Sequence, residues 1–178
     1  MANNFQTEVR RDQGFGVIGE IRLDSPHRAN SAYLNSPDAA NNVIGRFFTY
    51  TDATATNVEA GDPGAAGQVP AGFLVAPKTY ALQGTAAGTL EPSLQLPNNT
   101  QVELLVEGDI IVEVTTASEV GHAVYYSEAD GTLVTDAPGA GVPAGTQPCY
   151  AEVIRYQAAT AAQPGLALIH VDKFPPIA

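Results

Sequence analysis

Six residues near the start, Gly14-Phe-Gly-Val-Ile-Gly19, spell the GxGxxG pattern that cradles a dinucleotide pyrophosphate. That chemistry needs a strand before the glycines and a helix after them, so that the helix N-terminus meets the phosphates. Here a polar, aperiodic stretch precedes them and an alternating apolar pattern follows, so the match is accidental. His27, His122 and His170 lack the HxH, HxxxH or HExxH spacing that puts two metal ligands on one face of an element. Cys149 has no basic neighbour to lower its pKa, and no GxSxG elbow accompanies it; it is expected to fill core. Glu103, Glu107 and Glu113 could form a glycosidase-like carboxylate pair, but alternation along the solvent face of a strand accounts for them. Asn98-Asn-Thr100 is a sequon that reads as a turn, and Asp52, Asp62 and Asp130 lack the dense spacing of a calcium loop. We expect no catalytic residue, no metal and no cofactor.

The charge distribution narrows the partners. Nineteen acids against eight Lys and Arg give a formal charge of -11, which repels nucleic acid and anionic lipid. No apolar run approaches the roughly 18 residues of a membrane span, and the first residues lack the basic and apolar regions of a signal peptide. Arg10, Arg11, Arg22, Arg28 and Arg46 crowd toward the N-terminus, whereas no basic residue lies between Lys78 and Arg155. This asymmetry suits either plain solvation of a β surface or an arginine-bearing face that meets a partner.

The elements that would position these residues are short strands. Seventeen Gly and 13 Pro with only 15% charged residues imply many turns and few helical surfaces. Residues 1–14 read as an arm with Phe5 and Val9 as its large apolar side chains, and residues 15–178 as a single β domain with surface loops near 52–70 and 137–148. A first strand is expected over Phe15 to Asp24, where Val17, Gly19, Ile21 and Leu23 alternate with polar residues, then a long loop. Further strands are expected at Val43–Thr51, from Phe73, around Tyr80, at Val102–Thr115 with a bend or bulge at Gly108, and at Cys149–Tyr156 and Leu166–Val171. Asp130-Gly131 between the apolar runs 122–127 and 132–135 is a hairpin signal. About nine strands without an internal repeat fit an all-β jelly-roll-like sandwich or a barrel.

The ordered set Gly16-Val-Ile-Gly-Glu-Ile-Arg-Leu-Asp24, Asn42-Val-Ile-Gly-Arg-Phe-Phe-Thr49, Gly72-Phe-Leu-Val-Ala-Pro-Lys-Thr-Tyr-Ala-Leu82, Leu94-Gln-Leu-Pro-Asn98 and the Val124-Tyr-Tyr hairpin resembles the structural cement proteins of tailed phages. The resemblance runs from about residue 15 to residue 171. It implies a β-rich, jelly-roll-like protein without catalytic residues, seated on the outside of the virion capsid and bound to the major capsid protein. It also implies homo-oligomers, with a dimer preferred over a trimer, and arms that reach neighbouring subunits. On that basis Phe5, Arg10, Arg11, Arg22 and Arg28 are the candidate capsid contacts, because Arg makes forked bonds to carboxylates. The alternative is a carbohydrate- or receptor-binding β module that would use Tyr125 and Tyr126 as sugar platforms; a cupin-like metal enzyme ranks third and lacks its histidine pair.

Overall fold

The computed structural model describes residues 15–61, 69–76, 94–160 and 165–172. The expected strand around Tyr80 and the arm residues Phe5, Val9, Arg10 and Arg11 lie outside them. The described chain is all-β: β1 (Arg28–Leu34), β2 (Phe47–Tyr50), β3 (Asn57–Ala60), β4 (Val69–Leu74), β5 (Gln101–Val114), β6 (Ala123–Ser127), β7 (Leu133–Asp136), β8 (Thr146–Gln157) and β9 (Gly165–Val171), with one 3-10 turn at Ala39–Asn41.

Strand pairing builds two rings that share β5. In the first, β1 pairs β3, β3 pairs β2, β2 pairs β4, β4 pairs β5, and β5 returns to β1, a closed barrel of the expected kind. Its interior is Ala32, Leu34, Phe48, Tyr50, Val58, Leu74, Val102 and Leu104. In the second, β5, β9, β8, β6 and β7 follow in order. Thr115 and Thr116 then tie the end of β5 to β7, Thr115 N donating to Leu133 O at 3.0 Å and Thr135 N to Thr116 Oγ1 at 2.7 Å.

Sharing one strand between two interiors demands a change of phase. Up to Leu104 the even-numbered residues of β5 face the first ring's core while Leu105 faces the other; from Ile110 onward it is the even residues that fill the second core. The change occurs at Val106, which the register skips: Ala29 faces Leu105 and Arg28 faces Glu107. Gly108, at φ 120, follows at once, and a Cβ there would lie 2.8 Å from the His27 Cβ. The bulge expected at Gly108 is therefore present two residues earlier, with the glycine making room for the neighbouring segment.

Phe47, Phe73 and Leu105 are consecutive cross-strand neighbours on the outside of the first ring, and they plug the second ring's core. Phe47 meets Phe73 edge-on with centroids 5.1 Å apart and stacks on Tyr126 at 4.2 Å, so one aromatic column joins the rings. The Asp130-Gly131 hairpin forms as expected, and its tip rests on the first ring. Phe47 N donates to Gly131 O, Arg46 Nη1 donates to Asp130 O, and Gly131, at φ 71, sits where a Cβ would come within 2.3 Å of the Phe47 carbonyl.

Three expectations need correction. The strand placed at Phe15 to Asp24 is reduced to a single bridge, Ile21 to Ile110, because a turn interrupts it. The long loop after it contains β1, whose small, polar residues carry only a faint alternation. The segment 52–70 contains β3, four residues with one strongly β-forming side chain, Val58, held between β1 and β2.

Candidate functional site

The segment 15–27 lies across the seam between the rings and is fastened by its backbone. Val17 to Glu20 form a turn, with Glu20 N donating to Val17 O at 3.0 Å and Gly19 at φ 82, the left-handed position that a glycine accepts without strain. Gly19 N then donates to Ile111 O (2.7 Å), Ile111 N to Glu20 O (3.0 Å), Arg22 N to Asp109 O (3.0 Å) and Ala76 N to Gly19 O (2.9 Å). Ile18 packs toward the first core and Ile21 toward the second. A Cβ on Gly19 would lie 2.2 Å from the Ile44 Cγ2 and 2.8 Å from the Ala76 nitrogen, so the glycine is needed for contact as well as for the turn. The GxGxxG letters thus belong to a backbone clip.

This turn, and a second at Leu23–Asp24, also redirect side chains. Alternation assigned Val17 and Leu23 inward with Ile21, but Val17 is 64% exposed and Leu23 71% exposed. They stand on a groove of about 1350 Å³ whose walls include Phe15, Ile21, Val75, Ile111 and Leu168. The Arg155 guanidinium lies 4.8 Å over the Phe15 ring at its edge. Two large aliphatic side chains on a pinned backbone are pre-organised for contact, which lowers the ordering cost of binding.

Of the candidate contacts, the described residues include Arg22 and Arg28, and both are exposed. Arg22 makes a forked pair with Asp24 (Nε to Oδ1 3.0 Å, Nη2 to Oδ2 2.6 Å). That bond raises the arginine's pKa and lowers the carboxyl's. Arg28 opens β1 opposite Glu107. Phe5, Arg10 and Arg11 lie outside the described residues. Sequence reasoning missed Val17 and Leu23; the available signals were Val17-Ile-Gly-Glu20 and Leu23-Asp-Ser25 read as turns, which end the alternation on either side of Ile21.

The residues weighed for chemistry have structural surroundings. Among the described residues, no three His, Cys, Asp or Glu side chains gather to hold a metal. Cys149 is fully buried and burial pushes its thiol up, matching the expected core role. Tyr125 and Tyr126 are buried, so they are no sugar platform; among the described residues the exposed tyrosines are Tyr33 and Tyr150. The sequon's Asn98 amide is occupied: Oδ1 accepts from Ser36 N and Asn42 Nδ2, and Nδ2 donates to Ser36 O. Asp52 closes its own loop, accepting from the amides of Thr56 and Asn57 and from the side chains of Asn57 and Thr54. Among the described residues no helix is long and apolar enough to cross a membrane.

Comparison with known proteins agrees with this architecture. A chain of "The capsid of Myoviridae Phage XM1" has a similar fold, with a TM-score of 0.57 at 19% identity, covering 97% of this chain and 99% of that one. No curated protein matches. The family model described as "Structural cement protein (E217 gp24/Pam3 gp6)" matches residues 5–171, nearly the whole sequence and both rings, groove and clip included. The chain therefore belongs to the phage structural cement protein family and is a capsid-associated structural protein.

Proposed function

We propose that this protein binds the outer surface of a tailed-phage head and bridges neighbouring major capsid protein subunits, so that the assembled shell is held together. The observation that carries this reading is the clip: Val17 and Leu23 project from a backbone fastened to both rings, beside a groove and the exposed Arg22 and Arg28. Apolar anchors ringed by arginines make a serviceable protein contact, the anchors supplying affinity and the charges register. Arg22 and Arg28 serve as contacts here, and residues 1–14, with Phe5, Arg10 and Arg11, serve as an arm reaching a second subunit. A dimer would offer two such faces. A ligand that binds only the assembled lattice stabilises it by mass action, and repetition over the shell multiplies each modest contact.

Shells lacking the protein, mixed with purified chain and imaged by cryo-electron microscopy, test the reading. The expected result is an ordered outer layer bridging coat subunits and a raised disruption temperature of the shell. Val17→Asp combined with Leu23→Asp should fold normally yet bind about a hundredfold more weakly, since two aliphatic anchors are worth roughly 3 kcal/mol together. Arg28→Gln, which removes the charge without setting a second carboxylate opposite Glu107, should lower binding with little change in stability. Bare shells, or binding confined to the tail, would overturn the proposal and favour a receptor-binding module.

A further inference from the structure

On the outer face of the second ring one imidazole lies among three carboxylates. His170 on β9 has Asp109 as its cross-strand partner on β5 and Glu152 as its partner on β8, and Asp172 follows two residues later along the chain. Its Nδ1 is 2.6 Å from Asp109 Oδ1, and its Nε2 is 3.7 Å from Asp172 Oδ1. Asp109 is a buried residue whose backbone carbonyl receives the Arg22 amide, so the same residue holds both the imidazole and the clip. The Arg22 guanidinium, bound to Asp24, also lies within the field of Asp109.

We propose that His170 is a proton-operated clasp: its imidazolium holds Asp109, Glu152 and Asp172 together and fastens the Phe15–His27 clip at Asp109, and loss of that proton loosens the clip. This is a property of the chain itself and goes beyond the capsid reading.

The Asp109 hydrogen bond, aided by the fields of Asp109, Asp172 and Glu152 and opposed by burial, raises His170 above its ordinary 6.5. A raised pKa means that the folded, clasped state binds the proton more tightly. The stabilisation is therefore complete below pH 6.5 and is lost as the pH rises through the higher folded value.

The test is NMR on the full chain between about pH 5 and pH 8, where histidine is the side chain whose ordinary pKa lies in range. The His170 ring should titrate above 6.5, and Asp109→Asn should return it toward that value. Amide exchange at Arg22, corrected for intrinsic rate, should accelerate as His170 loses its proton, by up to about tenfold for each pH unit of elevation. In His170→Gln the Arg22 amide should exchange at the high-pH rate throughout; this variant also separates His170 from His27 and His122. Flat Arg22 protection while the His170 ring titrates, or a pH step that persists in His170→Gln, overturns the clasp.

Discussion

Replacing Gly19 by alanine would test whether the clip is held as described. Gly19 sits at φ 82, and a side chain in the left-handed region costs about 1–2 kcal/mol. The new Cβ would also meet the Ala76 backbone nitrogen at 2.8 Å and the Ile44 methyl at 2.2 Å. A backbone atom cannot turn aside as a flexible side chain does, so this overpacking adds about 1–3 kcal/mol. The expected loss is about 2–5 kcal/mol, paid first where the four backbone bonds of the clip can open without unfolding either ring. Amide hydrogen exchange reads this directly: the Arg22 and Ile111 amides should exchange at least about thirtyfold faster, the equivalent of 2 kcal/mol. The Ile169 amide, in the core of the second ring, should remain slow. Gly121→Ala is the control, because Gly121 also has positive φ, 86, yet a Cβ there meets nothing within 4 Å. The difference between the two variants isolates the contact term from the conformational one. Wild-type exchange at Arg22 and Ile111 in Gly19→Ala would refute the account of the clip.

Two further outcomes follow from the body of the protein. Phe47→Ala should cost about 3–5 kcal/mol in urea denaturation, because it empties a fully buried site and removes the stack on Tyr126 that joins the rings; a loss below about 1 kcal/mol would mean that the rings do not depend on that column. Asp52 has its carboxyl lowered from 3.8 to about 2, chiefly by the Thr56 amide with help from Asn57 and Thr54, so its contribution is present above pH 3.8 and lost as the pH falls through about 2. Thermal unfolding should therefore depend less on pH between 4 and 2 in Asp52→Asn than in the wild type, and equal slopes would show that the loop does not use the charge.

How much of this was legible in the sequence depended on how much of each signal was local. The β5 alternation, the Asp130-Gly131 turn and the runs that became β6, β8 and β9 were read correctly because pleat period and turn chemistry are properties of a few adjacent residues. β1 and β3 were invisible for the opposite reason. Arg28-Ala-Asn-Ser-Ala-Tyr-Leu34 and Asn57-Val-Glu-Ala60 have weak β preference of their own and become strands because flanking strands supply hydrogen-bond partners. The parity change on β5 could be guessed from Gly108 but not located, since the bulge at Val106 is fixed by the register with β1, a strand that was itself unread.

The site was legible as a region and not as a surface. The arginine-rich N-terminal stretch drew attention to the segment 15–27, but the large apolar side chains exposed there, Val17 and Leu23, are those that a continuous strand would have buried. Turns at Val17–Glu20 and at Leu23–Asp24 end the alternation on either side of Ile21, which keeps the inward direction that a period of two gives it.

The closed first ring bears on how such a protein engages a neighbour. With β1 paired to β5, every strand of that ring has a partner on both sides, so a neighbour's arm cannot extend it by strand addition without displacing a strand already in place. The described ends of the second ring are likewise tied, β7 to Thr115 and Thr116 and the outer side of β5 to the clip. Under the proposed binding mode, contact with another chain would use side chains on the clip and loops, whose chemistry selects a particular partner, and not the paired edges of the described strands. Among the described strands this closure leaves few open edges for non-specific pairing, and the charge of -11 adds repulsion between copies in solution. In the binding mode proposed above, attachment would rest on a few apolar and arginine contacts, and the clip offers them a backbone hydrogen-bonded to both rings.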